Sequence, residues 1–558
     1  MVDPSGRYRL VYNGEVYNYI ELRKRLAGWW QFRTAGDTEV VLAGLVSIGP
    51  DFLREMEGMW ALALWDVRDK RLLLARDRMG KKPLYYRAAP RSFCCSSELP
   101  GLAALSDQRW EEDLDSTADY LRYGYYLPGR TAYLDVREVL PGHWLSWMPG
   151  EVPQEHQYWT LEIGGYSGDV RQAREHLRDC LHRAVDRRLV ADVEVGAFLS
   201  GGVDSSLVVA LQSQRSGTPP KTFTIGFSEG SYDERCYART IATKYQTDHY
   251  EEVLGALDPE QLRRLVLDHV GQPFADPSLL PTALVSHLAA RHVKVALSGD
   301  GGDELFSGYQ RYQARAILRW YTRLPRALRY PLERLLAVLP EPAVHHSRSL
   351  LKKAHLFLAT VQRVDAETPY VAPMMYGDRA LQDLVPDLVG RGHTPPGLPE
   401  TCEGDDILRM MAADALVYLP QDILVKVDRA SMAHSLEARA PFLDRELVEY
   451  AFSLPRRWHR RGFSGKRILQ ESMAALLPAG TWRRRKQGFG VPVGHWFRSG
   501  LAAELSLLAR ETTSPLSRSM VERMVKDHLT GRRDYGLRLW QLYVYLLWST
   551  RNSKMANL

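Results

Sequence analysis

In the first hundred residues, apolar positions fall into short clusters with two periods. Residues 7–12, 60–66, 71–76 and 92–96 are brief β-like runs separated by polar turns such as Val67-Arg68-Asp69-Lys70. Between them, residues 19–26 and 37–46 carry apolar side chains at helical spacing. This is an α+β pattern. Residues 105–170 read as a linking region broken by Pro128-Gly129, Pro141-Gly142 and Pro149-Gly150. From 171 onward helix and strand alternate. An amphipathic helix over 171–188 precedes a strand at 193–199, a helix at 205–214 and a strand at 222–227. Helices at 235–245 and 279–291 and a strand at 293–297 follow, and beyond about 310 the pattern is almost wholly helical. Such βαβ alternation predicts a doubly wound parallel sheet that binds ligands at the carboxyl ends of its strands.

Two of those strand ends carry chemistry. The first is Leu199-Ser200-Gly201-Gly202-Val203-Asp204-Ser205-Ser206, set between strand and helix. A Gly-Gly turn lets backbone N–H groups converge, and the helix N-terminus behind it adds partial positive charge, which suits a phosphate group. The Gly-Lys-Ser/Thr ending of a Walker A loop is absent. The order Ser-Gly-Gly-x-Asp-Ser-Ser resembles the pyrophosphate loop of ATP pyrophosphatases, which cleave ATP between its α and β phosphates. The second strand runs into Ser298-Gly299-Asp300-Gly301-Gly302-Asp303-Glu304, a glycine turn loaded with acid. Carboxylates beside a phosphate loop repel it unless a divalent cation lies between them. Asp204 and Asp303 are therefore the candidate Mg²⁺ ligands. The bland alternative makes Asp300 and Glu304 helix-capping carboxylates on a solvated turn.

Composition narrows the class without deciding it. The 558 residues favour at least two domains, and 45% hydrophobic with 25% charged residues is ordinary for a soluble globular protein. A net charge of +6, with the basic residues scattered, gives no footing for nucleic acid. The N-terminus is too polar for a signal peptide. The apolar run 539–548 is too short to span a bilayer and contains Gln541, so no membrane association is expected. Cys94, Cys95, Cys180, Cys236 and Cys402 show neither metal spacing nor a paired framework, and a reduced cytoplasmic setting is the expectation.

Further motifs follow in order: Tyr232-Asp233-Glu234, Phe274-Ala275-Asp276-Pro277-Ser278, a long motif at 419–432 and another at 437–444. With the two loops, they resemble the glutamine-dependent asparagine synthetases of the two-domain bacterial type. The resemblance implies an amidotransferase domain of the N-terminal-nucleophile kind at 1–160 and an ATP-pyrophosphatase synthetase domain at 171–558. It implies ATP and Mg²⁺ as cofactors, and aspartate and ammonia or glutamine as small-molecule substrates. Carried over by motif, Leu199 and Ile225 contact adenosine with Ser298 and Gly299 nearby. Ser200, Gly201, Gly202, Asp204, Ser205 and Ser206 form the pyrophosphate site. Lys466, in Gly465-Lys466-Arg467, and Asp300 are the catalytic candidates, and Arg485 and Lys486 are further candidates for pyrophosphate. Asparagine-synthetase-like enzymes acting on a glycan or peptide carboxylate are the alternative. A homodimer stays open as one assembly.

In the amidotransferase half, Asn13-Gly14-Glu15 and Asp37-Thr38-Glu39 match residues that bind glutamine, with Asn13, Gly14, Glu15 and Asp37 as the candidates. The family's N-terminal cysteine nucleophile has no counterpart, because Met1-Val2-Asp3-Pro4 aligns inside the domain. Such a truncated domain is expected to leave this chain dependent on ammonia, and a start codon placed too late would account for it.

Overall fold

The structure is a computed structural model. It describes residues 1–313 except 91, 106–109, 216 and 256–257, scattered positions between 321 and 355, and residues 375–555 except 396–404, 463 and 485–489.

The N-terminal half is built on an antiparallel sheet of β1 (Tyr8–Val16), β2 (Gly58–Asp66) and β3 (Arg71–Arg76). A hairpin of β4 (Tyr85–Ala89) and β5 (Ser92–Ser96) is followed by β6 (Arg137–Glu138), β7 (His143–Trp147) and β8 (Gln154–Gln157). The large sheet has the order β1-β2-β3-β7-β8 and a small one the order β5-β4-β6. The segment 105–170 is thus not a linker. It supplies the helix Leu114–Tyr123 and three strands that complete both sheets. Helices α1 (Tyr19–Leu26) and α2 (Asp37–Ser47) cover one face of the large sheet, burying Leu22, Leu26, Val40 and Val41 against Leu10, Trp60 and Leu62. Glu39, in the first turn of α2, is buried because it accepts the Arg33 and Thr34 amides and the Thr34 hydroxyl at 2.6–3.0 Å.

The second half centres on β9 (Val195–Phe198), β10 (Lys221–Phe227), β11 (Asp248–Leu254), β12 (Val295–Leu297) and β13 (Glu437–Arg439). All four pairings are parallel and the order is β11-β10-β9-β12-β13. From β9 the chain winds first to one side and then to the other, so the topological switch lies between β9 and β12. Those are the two strands that run into the glycine loops. The inner strands β10 and β12 are buried along almost their whole length, as in a parallel sheet covered on both faces, and Thr222 and Thr224 of β10 are buried with the apolar residues.

Polar contacts tie the halves together. The buried Lys82 ammonium lies 3.0 Å from Asp428, Gln421 donates to Glu138 at 2.7 Å, and Lys81 donates to the Ala440 carbonyl at 3.3 Å. The C-terminal helix Gly536–Met555 is buried on all sides over 539–548, and Gln541 within it exchanges hydrogen bonds with Tyr120. No described helix is long and apolar enough to cross a membrane.

Candidate active site

The loop after β9 turns at Gly201, with φ at +69°, and a Cβ there would lie 2.5 Å from the Ala238 nitrogen. Only glycine lets the loop seat against the start of the helix Arg235–Tyr245. The Gly202 amide donates to Ser200 Oγ at 3.3 Å, and Ser205 Oγ lies 3.0 Å from Ser200 Oγ. The helix Val203–Arg215 starts two residues before its sequence expectation, which puts Asp204 in its first turn. Arg484 clamps the loop from outside. It donates to the Gly201 carbonyl at 3.3 Å, pairs with Glu234 and lies 3.8 Å over the Tyr237 ring.

The loop after β12 packs directly on the first. A Cβ at Gly299 would lie 2.7 Å from the Ser205 nitrogen, and one at Gly302 would lie 2.5 Å from Asp204 Cγ. The short helix Gly302–Leu305 is capped by Gly301 without any side chain, so Asp300 and Glu304 are not its caps. Glu304 is buried instead and accepts the Tyr309 hydroxyl. Burial, reinforced by Asp303, pushes its carboxyl up to about 7.

Lys466 arrives from a distant part of the chain. Its backbone has φ of +55°, as does that of the adjacent Ser307 at +57°, a conformation that costs any non-glycine residue. The Lys466 amide donates to the Phe306 carbonyl at 2.8 Å and Arg460 holds the Ser307 carbonyl at 3.1 Å, which fixes both outliers. The result is an ammonium 2.5 Å from Asp204 and 2.6 Å from Asp303. Two carboxylates from two different strand ends therefore converge on one cation, the donor set that a hard divalent ion uses.

These groups line one cavity of about 1220 Å³. Leu199, Ser200, Gly202, Asp204, Ser205, Ile225, Ser298, Gly299, Asp300, Asp303 and Lys466 all face it. Gly201 and Ser206 stand behind the wall, the second fully buried. Among the described residues Ser298 Oγ has no hydrogen-bond partner on the wall, an acceptor and donor that a polar ligand would satisfy. Arg485 and Lys486 lie outside the described residues. The cavity also contains groups to which sequence reasoning gave no role: Asp276, Tyr418, Lys426 and Arg484. The motifs that carry Asp276 and Lys426 were visible, but nothing in a linear motif says which of its side chains turns inward, and Tyr418 and Arg484 lie outside any motif the sequence offers.

In the amidotransferase half, Asp37 accepts the Tyr12 hydroxyl at 2.7 Å and the Val16 amide at 2.9 Å, tying α2 to β1. Asn13 Nδ2 reaches Ser97 Oγ at 3.3 Å, and at Gly14 a Cβ would lie 2.2 Å from the Met59 carbonyl oxygen. Glu15 points toward the other half, 3.9 Å from Arg439. Burial, then Glu437 and Asp37, push its carboxyl up to about 7. Cys94 packs on the large core that includes the C-terminal helix, and Cys95 on a small cluster between β2, β3 and β7.

A two-loop site at the switch point of a parallel sheet, joined to an antiparallel amidotransferase-type half, defines a class of two-domain enzyme. Comparison with known proteins identifies the family. The asparagine synthase family matches residues 176–550 and the glutamine amidotransferase domain family residues 1–159. The chain belongs to the asparagine synthase family. It is 33% identical to "Putative asparagine synthetase (glutamine-hydrolyzing)" of Mycobacterium tuberculosis strain H37Rv, over 98% of this chain and 85% of that protein. It is 29% identical to asparagine synthetase (glutamine-hydrolyzing) 1 of Bacillus subtilis strain 168, over 98% and 86%. Amidase chyE of Penicillium rubens is 28% identical over 88% of this chain and 78% of its own length.

Proposed function

We propose that this chain is an ATP-dependent amide-forming ligase that makes asparagine, with residues 1–160 as the amidotransferase domain and 171–558 as the synthetase domain. The observation that carries the reading is the convergence of Asp204, Asp303 and Lys466 between the two glycine loops. A carboxylate is a poor electrophile. Its oxygen attacks the α-phosphorus of ATP, the bond to the β-phosphate oxygen breaks, and pyrophosphate leaves. Ammonia then attacks the acyl carbon of the aspartyl-adenylate, AMP departs, and the nitrogen gives up a proton.

The residues divide this work. Leu199 and Ile225 flank the adenosine, with Ser298 and Gly299 beside it. Ser200, Ser205 and the Gly201 and Gly202 amides hold the pyrophosphate, with Ser206 supporting the loop from behind. Lys466 places a fixed positive charge where the phosphoryl oxygens gain negative charge. Asp204 and Asp303 would hold Mg²⁺, which when bound neutralises phosphate charge. Asp300, on the same wall, accepts the proton from the attacking nitrogen.

The test is product analysis with ATP, Mg²⁺, aspartate and ammonium. AMP and pyrophosphate in equal amounts are expected, and ADP with phosphate would overturn the reading. One observation favours a second reading, amide formation on another carboxylate: amidases are among the relatives.

A further inference from the structure

Outside the cavity, a second group of metal-binding side chains stands close together among the described residues: His176, Cys180 and Glu446. None of the three lines the cavity. His176 and Cys180 are four residues apart on the helix Val170–Leu189, so they share one face of it, one turn apart. Glu446 comes from the first turn of the helix Arg445–Ser453, which packs across that face. The ligand atoms that these residues offer, one from each, all lie within 4.8 Å of one another. Four-coordinate zinc, with bonds of about 2.0–2.3 Å, holds its ligand atoms about 3.5 Å apart, so side-chain shifts of roughly 1 Å close the set.

The surroundings hold each group in place. Cys180 is buried, and its Sγ lies 3.7 Å from Glu446 Oε1. The His176 ring lies against Tyr450 with the ring centroids 4.4 Å apart, and the Tyr450 hydroxyl donates to the Ala173 carbonyl at 2.9 Å. Glu446 Oε2 accepts Arg183 Nε at 3.1 Å and Arg187 Nη2 at 3.5 Å, an outer shell that orients the carboxylate toward the thiol. Arg183 Nη2 donates to Oε1 and, at 3.5 Å, to Sγ; its side chain is 41% exposed and has solvent to swing into. Burial, then Glu446, push the Cys180 thiol up to about 12, so without a metal it keeps its proton.

We propose that His176, Cys180 and Glu446 bind one zinc-class divalent ion, with solvent at the fourth position on the side of the exposed His176. The donor set decides the class. One thiolate, one imidazole and one carboxylate suit Zn²⁺, with Co²⁺ as its probe, whereas Mg²⁺ takes oxygen ligands such as Asp204 and Asp303. On binding, the Sγ–H bond breaks, its proton goes to solvent, and the sulfur electron pair is donated to the metal. Arg183 Nη2 leaves Oε1, while Arg183 Nε and Arg187 stay on Oε2. The ion then joins the helix before β9 to a helix after β13. The cysteines show no metal spacing among themselves because only one of them takes part.

The experiment strips the full chain with a chelator and titrates it with Co²⁺ and then Zn²⁺, followed by absorbance. One Co²⁺ per chain should bring up sulfur-to-cobalt charge transfer together with the d–d bands of a tetrahedral ion, and one Zn²⁺ should remove both. Co²⁺ held by the oxygens of Asp204 and Asp303 gives neither, so the two sites are read separately. Cys180→Ser should abolish the charge transfer. His176→Ala changes an exposed side chain and leaves the core intact, which guards against a folding defect in the first variant. It should keep the charge transfer but weaken Co²⁺ binding at least about tenfold, the smallest loss expected even for an outer-shell partner. Absence of charge transfer in the parent would overturn the proposal. So would a band that survives Cys180→Ser, or equal Co²⁺ affinity in the parent and His176→Ala.

Discussion

Lys466 combines a costly backbone with a close pair of carboxylates. A left-handed backbone at a non-glycine residue costs about 1–3 kcal/mol and persists where the surroundings fix it. Here the Phe306 carbonyl and the packing of Gly465 on Ser307 do so. Lys466→Met keeps that backbone and the side-chain length but removes the charge. Turnover should fall about 10²–10³-fold, as when one preorganised charge is lost from a transition state, with Tm nearly unchanged. Asp204→Asn and Asp303→Asn should behave differently: the Mg²⁺ concentration for half-maximal pyrophosphate release rises, which Lys466→Met leaves close to the parent value. Identical Mg²⁺ titrations for all four proteins would show that the two aspartates are not ligands. The residue scale is where sequence reading did best and also where it stopped. The two glycine loops were legible because loop chemistry is written contiguously, whereas Lys466, far from both in the chain, was marked only by the family resemblance. Asp276 and Lys426, 150 positions apart in the chain, meet only through the fold.

At the scale of elements, helices α1 and Arg235–Tyr245 and strands β3 and β5 have the boundaries their periodicity predicts, and the other predicted elements shift by a few residues. Besides β4 and the two-residue β6, four strands were missed for physical reasons. β7 and β8 sit among Pro-Gly turns, β11 is a polar edge strand with the sequence Asp-His-Tyr-Glu-Glu-Val-Leu, and β13 is three residues within a helical stretch, held by pairing to β12. Contact between elements yields two predictions. Gly302→Ala brings a methyl group onto Asp204, so adenylation should drop at least about tenfold while the circular dichroism spectrum is preserved. A fully active Gly302→Ala would mean that the loops do not interlock as described. Lys81, between β3 and β4, is buried against the Ala440 carbonyl of the other half. Burial, then Arg188, pulls its ammonium down to about 7 from the usual lysine value. Because the folded value lies below the unfolded one, the linked stability is present above about pH 10 and is lost as pH falls through 7. Lys81→Met should therefore stabilise the protein by about 4 kcal/mol at pH 7, with the gain shrinking toward zero near pH 10. Thermal melts across that range check it, and a gain that grows with pH would refute the sign.

At the scale of the molecule, the question is whether the two halves act in series, one supplying ammonia to the other. Of the residues that the sequence resemblance nominates for glutamine, Asp37 is tied to Tyr12 and Val16, and Asn13 faces Ser97. Releasing ammonia from glutamine also requires a nucleophile, and among side chains a thiolate does this best near neutral pH. Within residues 1–160 the cysteines are Cys94 and Cys95, adjacent on β5 and so directed to opposite faces. Both pack against apolar clusters, and burial pushes the Cys95 thiol up to about 11. At pH 7 its thiolate fraction is on the order of 10⁻⁴, far below that of a catalytic cysteine. Neither cysteine should therefore serve as a glutaminase nucleophile, so any glutamate released from glutamine should be the same in the parent, Cys94→Ala and Cys95→Ala. Cys94→Ala and Cys95→Ala should leave the ammonium reaction untouched. Appreciable glutamate release by the parent that either substitution abolishes would identify that cysteine as a nucleophile and overturn the argument from its packing. Glutamate release that survives both substitutions would require a nucleophile other than cysteine in the amidotransferase half.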